Sequence, residues 1–481
     1  MQRRTLIKAA VAAAFTPALA ACGGSDEKAA AGSQLASWDW LVSQADWMDN
    51  EIKLFQAAHG GNTIRKTTQV TDKYPDLFAL AARSGTAPDV FQIARTPTIQ
   101  EQVSNGWLLP LDKWATESWK SKFGPGWFGE GGNTFGGKTY SAPFNGAGSN
   151  LQLYCHHGLF KQAGLVNGDG TPQLPKTWDD VTRAAEAITS KGGGKAFGLG
   201  FGNSQGGALS WLTEIFTRGA GSVGGTNNLD YRVGKWTYST DRNYADFINL
   251  LLDWKRRGFI FPTAMSASDE QARAFFAQGK FGMIVNGVWS QAAWKESKFT
   301  DYSLVTLPSP TATPQGYFYY GQGSSARMFG ISAKTANPDA AFAWLDWLYS
   351  KDAGQRWVKA GLGLSAYAEN NDPSLVDFAP FAQYVATSTT NLPGPDPILR
   401  NPELAKVKVA AVKPDINDVL AGLYTGQLKD IAGALSELDG RLNKAQEDGV
   451  AAAAKAGAKV SMTDYVFADW DPTKPYVVKP S

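Results

Sequence analysis

The chain has 481 residues, 43% of them hydrophobic, which is more than one core normally spans and points to two lobes. Its 46 Lys and Arg are balanced by 44 Asp and Glu, so no basic excess favours a nucleic-acid partner. The 17 Trp, within an aromatic share of 12%, are costly to place unless their faces are used. Sugar rings stack on such faces, and core packing also absorbs them.

The N-terminus reads as a targeting segment. Arg3-Arg4 precedes an apolar run to Ala21 and is similar to a twin-arginine export signal. Thr16-Pro17 interrupts the run, which is too short to span a bilayer. Leu19-Ala-Ala-Cys22 has the form of a lipobox, with cleavage before Cys22 and a lipid on its sulfur; the alternative is ordinary cleavage after Ala18-Leu19-Ala20. Residues 1–21 are then an export signal and 22–34 a small, polar, lipidated tether. Lipidation leaves Cys155 alone, a small buried hydrophobe with no disulfide partner.

The mature chain opens on a strand, Leu35 to Trp40, with Trp38 and Trp40 on one face and Gln44 in its exit loop. A helix from about Asp46 to Ala58, a strand Thr63 to Gln69, a helix Asp76 to Arg83 and a strand Asp89 to Ile93 follow. This alternation demands a parallel sheet with right-handed crossovers. Gln92 and Arg95 lie at the carboxyl end of its third strand. Phe144 to Ser149 is a candidate crossover between lobes, and Leu151 to Tyr154 the first strand beyond it.

In the second lobe Thr177 N-caps a helix, Gly198 to Phe201 is a strand, Asn203-Ser-Gln205 follows it, and Ala208 to Phe216 is a helix. Tyr244, Phe247, Leu251 and Trp254 mark another helix. Ser268 and Gln271 form a capping-box pattern before a short helix, and Phe281 to Val285 is apolar enough for a strand buried on both faces. Asn286-Gly287 is expected to break that strand, with Trp289 just past its carboxyl end, where ligands bind in open α/β sheets. Strands at Tyr302–Leu307 and Met328–Ser332 flank an extended aromatic run, Tyr317 to Gln322. Asn337-Pro338 starts a helix. The region from about Pro402 to Ala456 is helical and rich in alanine.

Gly202-Asn-Ser204-Gln-Gly206 matches a nucleophile elbow between a strand and a helix. The hydrolase order needs a His after the Ser, yet His59, His156 and His157 all precede it. The loop is better read as presenting Asn203 and Gln205 to a cleft. No P-loop occurs. Three histidines and one unlipidated cysteine leave little for a metal, and no cofactor is expected. Two carboxylates suffice for a glycosidase, so the residues alone leave a carbohydrate-active enzyme open.

Ala87-Pro-Asp-Val90, Gly106-Trp-Leu-Leu-Pro-Leu-Asp112, Pro175-Lys-Thr-Trp-Asp-Asp180, Phe276-Ala-Gln-Gly-Lys280 through Gly287-Val-Trp289, and Ile331-Ser-Ala-Lys-Thr-Ala-Asn-Pro338 occur in one order over about residues 35–370. In this the chain resembles the carbohydrate-type extracellular solute-binding proteins of ABC importers, the group that includes maltose-binding protein. The resemblance implies an α/β, two-lobe periplasmic-binding-protein-like (Venus flytrap) fold with hinge crossovers. Lobe one would take 35–145 and 303–358, and lobe two 146–302 and 359–481. It implies a non-enzymatic monomeric receptor, exported and anchored at Cys22 on the cell surface or in the periplasm, that delivers a carbohydrate to ABC transporter permease subunits. Trp289 falls on the family's sugar-stacking Trp. Asn203 and Gln205 fall on a ligand loop, Gln92 and Arg95 on a polar and aromatic contact region, Trp38, Trp40 and Gln44 at the first strand's end, and Asn145, Tyr320 and Gln322 at crossovers. Gln92 stands where the family often has an aromatic. A non-sugar solute such as a polyamine, phosphorylated polyol or metal chelate is the alternative within this scaffold, with Arg95 and Arg327 the candidate partners of a charged ligand.

Overall fold

A computed structural model of the chain describes residues 32–71, 73–123, 127–146, 148–224, 229–321, 328–387 and 391–478. The export signal, Cys22, most of the tether, Gln322 and Arg327 lie outside the described residues.

The first lobe begins β1 (Gln34–Asp39), α1 (Ala45–Ala58), β2 (Thr63–Thr68), α2 (Tyr74–Ser84), β3 (Val90–Gln92). The period-two pattern of β1 buries Leu35, Ser37 and Asp39 and leaves Ala36 and Trp38 half-buried. β1 pairs in parallel with both β2 and β3, Trp38 lying opposite Thr67 and Phe91. Trp47, Met48 and Phe55 of α1 are buried, with Leu35, Val90, Phe329 and Trp344 in the same core cluster.

The chain then enters a second sheet through β4 (Leu151–His156). It continues with α3 (Trp178–Gly192), β5 (Phe197–Leu199), α4 (Ala208–Gly219), α5 (Arg242–Arg256), α6 (Asp269–Ala277), β6 (Phe281–Gly287) and β7 (Tyr302–Val305). The strand order is β5-β6-β4-β7, with β5 parallel to β6 and β4 antiparallel to β6 and β7. Thr177 with Asp180, and Ser268 with Gln271, close the capping boxes at the starts of α3 and α6. All seven residues of β6 are buried. Neighbouring β6 residues pack into opposite clusters, Met283 and Val285 with α3–α5, and Phe281 and Ile284 with Phe276, Trp294 and Phe381. That is the physical basis of its unbroken apolar run.

β8 (Phe318–Tyr320) precedes the return to lobe one. There β9 (Phe329–Ile331) completes the order β9-β3-β1-β2 and runs antiparallel to β3. α7 (Pro338–Leu348) packs beneath this sheet. β10 (Asn391–Pro393) pairs with β8, and α8 (Ile416–Thr425) and α9 (Ile431–Lys455) finish against lobe two. Among the described residues no helix is long and apolar enough to cross a membrane.

Three expectations are corrected. β6 does not stop before Asn286: Asn286 and Gly287 are still paired, opposite Gln152 and Leu151. Residue 303 is not the return to lobe one, because Ser303, Leu304 and Val305 pair with Cys155, Tyr154 and Leu153 of the second sheet. The chain re-enters the first sheet only at Phe329. The C-terminal region is not one helical stretch, since residues 407–412 carry no regular structure and Pro414 supplies no backbone donor.

Candidate functional site

Strand directions place the site. β1, β2 and β3 are parallel and share one carboxyl edge, where Trp40 and Arg95 lie. β9 enters that edge, Phe329 lying opposite Gln92. In the second sheet β5 and β6 share a carboxyl edge that carries residues 200–207 and Trp289. β4 starts there, Leu151 lying opposite Gly287, and Val288 N donates to Asn150 O at 2.7 Å. The chain therefore leaves and enters each sheet at the edge that carries the candidate residues.

On lobe one, Trp38 and Trp40 are both half-buried and pack on a cluster that contains Tyr74, Phe78 and Phe91. The Trp40 ring meets Tyr74 edge to face, centroids 4.6 Å apart. The exposed Arg95 holds its guanidinium 5.9 Å from the Trp40 ring centroid. Gln92 is only 3% exposed, and its Oε1 accepts from Trp40 N at 3.0 Å. Its backbone oxygen accepts from Tyr74 Oη at 2.5 Å. Gln92 thus fixes the backbone of Trp40. Asp39 Oδ1 accepts from Leu41 N at 3.0 Å, and burial pushes its carboxyl above the usual range. Gln44 is half-buried in the turn Val42–Gln44 that leads into α1.

On lobe two, Asn203 is 7% exposed and its Oδ1 accepts from Leu209 N at 3.2 Å, which caps the first turn of α4. Gln205 is exposed, and its Oε1 accepts from Asp269 N at 3.0 Å, the first residue of α6. Asn286 Nδ2 donates to Asp269 Oδ1 at 2.6 Å, and Ser290 Oγ donates to Asn286 Oδ1 at 2.6 Å. This relay runs from residue 205 through α6 and β6 to the turn that carries Trp289, and holds both ends of the candidate wall in one register.

Trp289 is half-buried and its ring lies flat over Gly287: a Cβ built there would meet three of its ring carbons at 2.2 Å. Its partner is Trp211, also half-buried, on the first turn of α4. The two rings sit edge to face, centroids 5.7 Å apart at 75°. In the sequence Trp211 is one apolar residue within the helix Ala208 to Phe216. Its signal is an aromatic one turn into a helix that follows Gly206-Gly207 at a strand's end.

Asn145 lies in the first crossover and forms a bridge with Ser365 of the last one. Gly146 N donates to Leu364 O, and Ala366 N to Phe144 O, both at 3.0 Å. The contact is close enough that a Cβ at Gly146 would lie 2.3 Å from Ser365 O. Tyr320 is half-buried at the end of β8, and burial raises its hydroxyl pKa.

The elbow serine, Ser204, is exposed, and each histidine is occupied elsewhere. His59 stacks on Phe55, His156 packs beside Phe276 and Phe299, and His157 lies between Ser303 Oγ (2.8 Å) and Asp301 Oδ1 (3.4 Å). Ser303 is itself 8% exposed, on a paired strand. Cys155 is fully buried, and among the described residues no cluster of three His, Cys, Asp or Glu is placed to hold a metal. Two surface hollows of about 420 and 470 Å³, lined by Lys255 and Tyr424 and by Lys413 and Arg441, contain none of the candidate residues.

Residues 41–355 match a family model described as bacterial extracellular solute-binding protein. No curated protein sequence matches the chain. Among solved structures, the chain is similar to an ABC transporter solute-binding protein from Thermotoga lettingae bound with α-D-tagatose. Identity is 20%, coverage 86% of this chain and 100% of the other, and the TM-score 0.63. It is also similar to the GacH receptor of Streptomyces glaucescens, solved unliganded and with acarbose (19%, 87% and 99%, 0.65). A third is the maltose/maltodextrin-binding domain MalE of Bdellovibrio bacteriovorus bound to maltotriose (17%, 86% and 99%, 0.60). At these identities the likeness is one of fold.

Proposed function

This chain belongs to the family of bacterial extracellular solute-binding proteins, and from that premise we propose that it captures a sugar between its lobes and delivers it to the permease of an ABC importer. One observation carries the sugar assignment: each sheet ends in a half-buried indole at its carboxyl edge, Trp40 in one and Trp289 in the other. A sugar offers apolar C–H faces and a rim of hydroxyls. Indole planes remove the faces from water, and amides and the Arg95 guanidinium hydrogen-bond the rim. The sugars bound by the three solved neighbours support the same class.

The mechanism needs no covalent step. Sugar that touches both walls stabilises the closed lobes over the open ones, a population shift. The permease reads closure, and expulsion of water strengthens each hydrogen bond to the ligand. Lipid on Cys22, attached after twin-arginine export, would keep the receptor at the membrane as a monomer. The exposed guanidinium of Arg95 favours a second reading, a sugar that carries a carboxylate or phosphate.

The test is thermal melting of the purified protein across neutral sugars, uronates, sugar phosphates and polyamines. A ligand at a hundredfold its Kd adds roughly 2.7 kcal/mol. A rise in Tm with neutral sugars, lost in Trp289→Ala, is the expected result. A rise only with acidic sugars selects the second reading, and a rise only with polyamines refutes both. Chromatography of the recovered sugar should show no cleavage products; turnover would make the protein an enzyme.

A further inference from the structure

Trp211 and Trp289 reach the edge of the second sheet from different cores. Trp211 packs on the cluster beneath α3–α5, and Trp289 on the cluster of Phe276 and Trp294. They meet beyond the end of β6, each half-buried, with ring planes 75° apart. Two half-buried indoles in contact form an apolar corner, and the part of each ring that is not packed is available to a ligand.

The angle decides what covers them. The two faces of a pyranose are nearly parallel, so one ring cannot stack on two planes that stand 75° apart. It covers one plane and leaves the other wet. A second residue, turned relative to the first, covers the other. Trp40 on lobe one supplies a third plane, held by Tyr74 at its edge and Gln92 on its backbone. The corner is also rigid. Trp289 is fixed by contact with Gly287, and the turn that carries it is tied through Ser290, Asn286 and Asp269. Its angle is therefore set before ligand arrives.

We infer that Trp211 is a second stacking plane of the cleft, and that the ligand is an oligosaccharide of two or more residues whose successive rings turn sharply at the linkage. This rests on the sugar-receptor reading above and narrows it. A single hexose uses one wall of the corner. A disaccharide uses both, so affinity grows with the second residue and Trp211 carries that growth.

The experiment is titration calorimetry of the purified protein with three length series: glucose, maltose and maltotriose; xylose, xylobiose and xylotriose; N-acetylglucosamine, chitobiose and chitotriose. The expected result is a rise in affinity of about tenfold or more from one residue to two in the glucose or xylose series, whose successive rings turn at the linkage; a rise confined to the chitobiose series, whose ring planes stay nearly parallel, overturns the turned-linkage claim. In Trp211→Ala the disaccharide-to-monosaccharide ratio falls toward one, and Trp211→Phe, which keeps an aromatic plane, recovers part of it. Near-ultraviolet circular dichroism reports whether each variant folds, and the wild-type series needs no variant. A monosaccharide that binds as tightly as its own disaccharide overturns the inference and leaves the sugar receptor standing. A disaccharide preference unchanged in folded Trp211→Ala overturns the role of Trp211. Absence of binding in all three series overturns this inference, and the receptor reading is then decided by the thermal-melting panel above.

Discussion

Gly287→Ala tests the candidate site with one methyl group. Gly287 has no positive φ, so alanine fits its backbone, and the nearest obstacle is the Trp289 ring, 2.2 Å from the new Cβ. Ordinary contact begins near 3.4 Å, so the ring must retreat by at least about 1.2 Å. A shift of that size disturbs its contact with Trp211, whose ring centroid lies 5.7 Å away. Overpacking of this kind costs about 1–3 kcal/mol, a fall in Tm of a few degrees at most. Binding is expected to suffer more, because displacement removes one stacking plane and opens the corner. Sugar affinity should drop about tenfold, or ~1.4 kcal/mol. Calorimetry gives the affinity, and indole fluorescence gives the change in Trp environment. Full affinity in Gly287→Ala, alongside lost affinity in Trp289→Ala, would refute the claim that the seated ring position is the binding position.

Three more outcomes follow from the same contacts. Glu51 is fully buried and accepts from Arg356 Nε and Nη2, each at 2.6 Å, and from Trp347 Nε1 at 3.0 Å. Arg356→Met strands that carboxylate and should cost about 3 kcal/mol, the low end for a broken buried pair because Arg356 is partly solvated; urea unfolding measures it. Tyr349 Oη accepts from Phe329 N at 2.8 Å and donates to Phe329 O at 2.9 Å. Tyr349→Phe should cost about 1–3 kcal/mol in the same assay with little change in sugar affinity. Burial holds His156 and His157 below the ordinary imidazole value of 6.5, so the folded chain binds fewer protons than the unfolded one below that pH. Their contribution to stability is present above pH 6.5 and is lost as pH falls through the lowered values. His156→Leu should flatten the Tm-against-pH curve on that side, and an unchanged slope would refute the cause.

Local pattern made most of the fold legible. Alternation disclosed β1, the capping boxes of Thr177 and Ser268 set two helix starts, and the apolar run after Lys280 marked a strand covered on both faces. What stayed hidden was non-local. Nothing near Ser303 says that it pairs with Cys155, so local pattern does not reveal that the second sheet continues past residue 303. The bond that Gln92 accepts from Trp40 N is invisible in the sequence because the two lie 52 residues apart. The bond that Asn203 Oδ1 accepts on the first turn of α4 is likewise not marked by the residues around it. Trp211 sits among the apolar residues of an amphipathic helix, where nothing separates an indole that packs from one that faces outward until Trp289 is seen at its edge.

The first and last crossover segments do more than connect. Because Asn145 bridges Ser365, and flanking amides donate in both directions across the gap, they are zipped into one short ribbon. Two separate tethers would let the lobes slide past each other. A ribbon permits bending and resists shear, so it favours rotation of the lobes about an axis beside it, as a door turns on its pin. Displacement then grows with distance from that pin. Contacts beside it, such as Gly146 against Ser365, change least during the swing, and the outer rims of the lobes travel furthest. A partner seated across both rims would therefore feel the largest motion that a bound solute can produce.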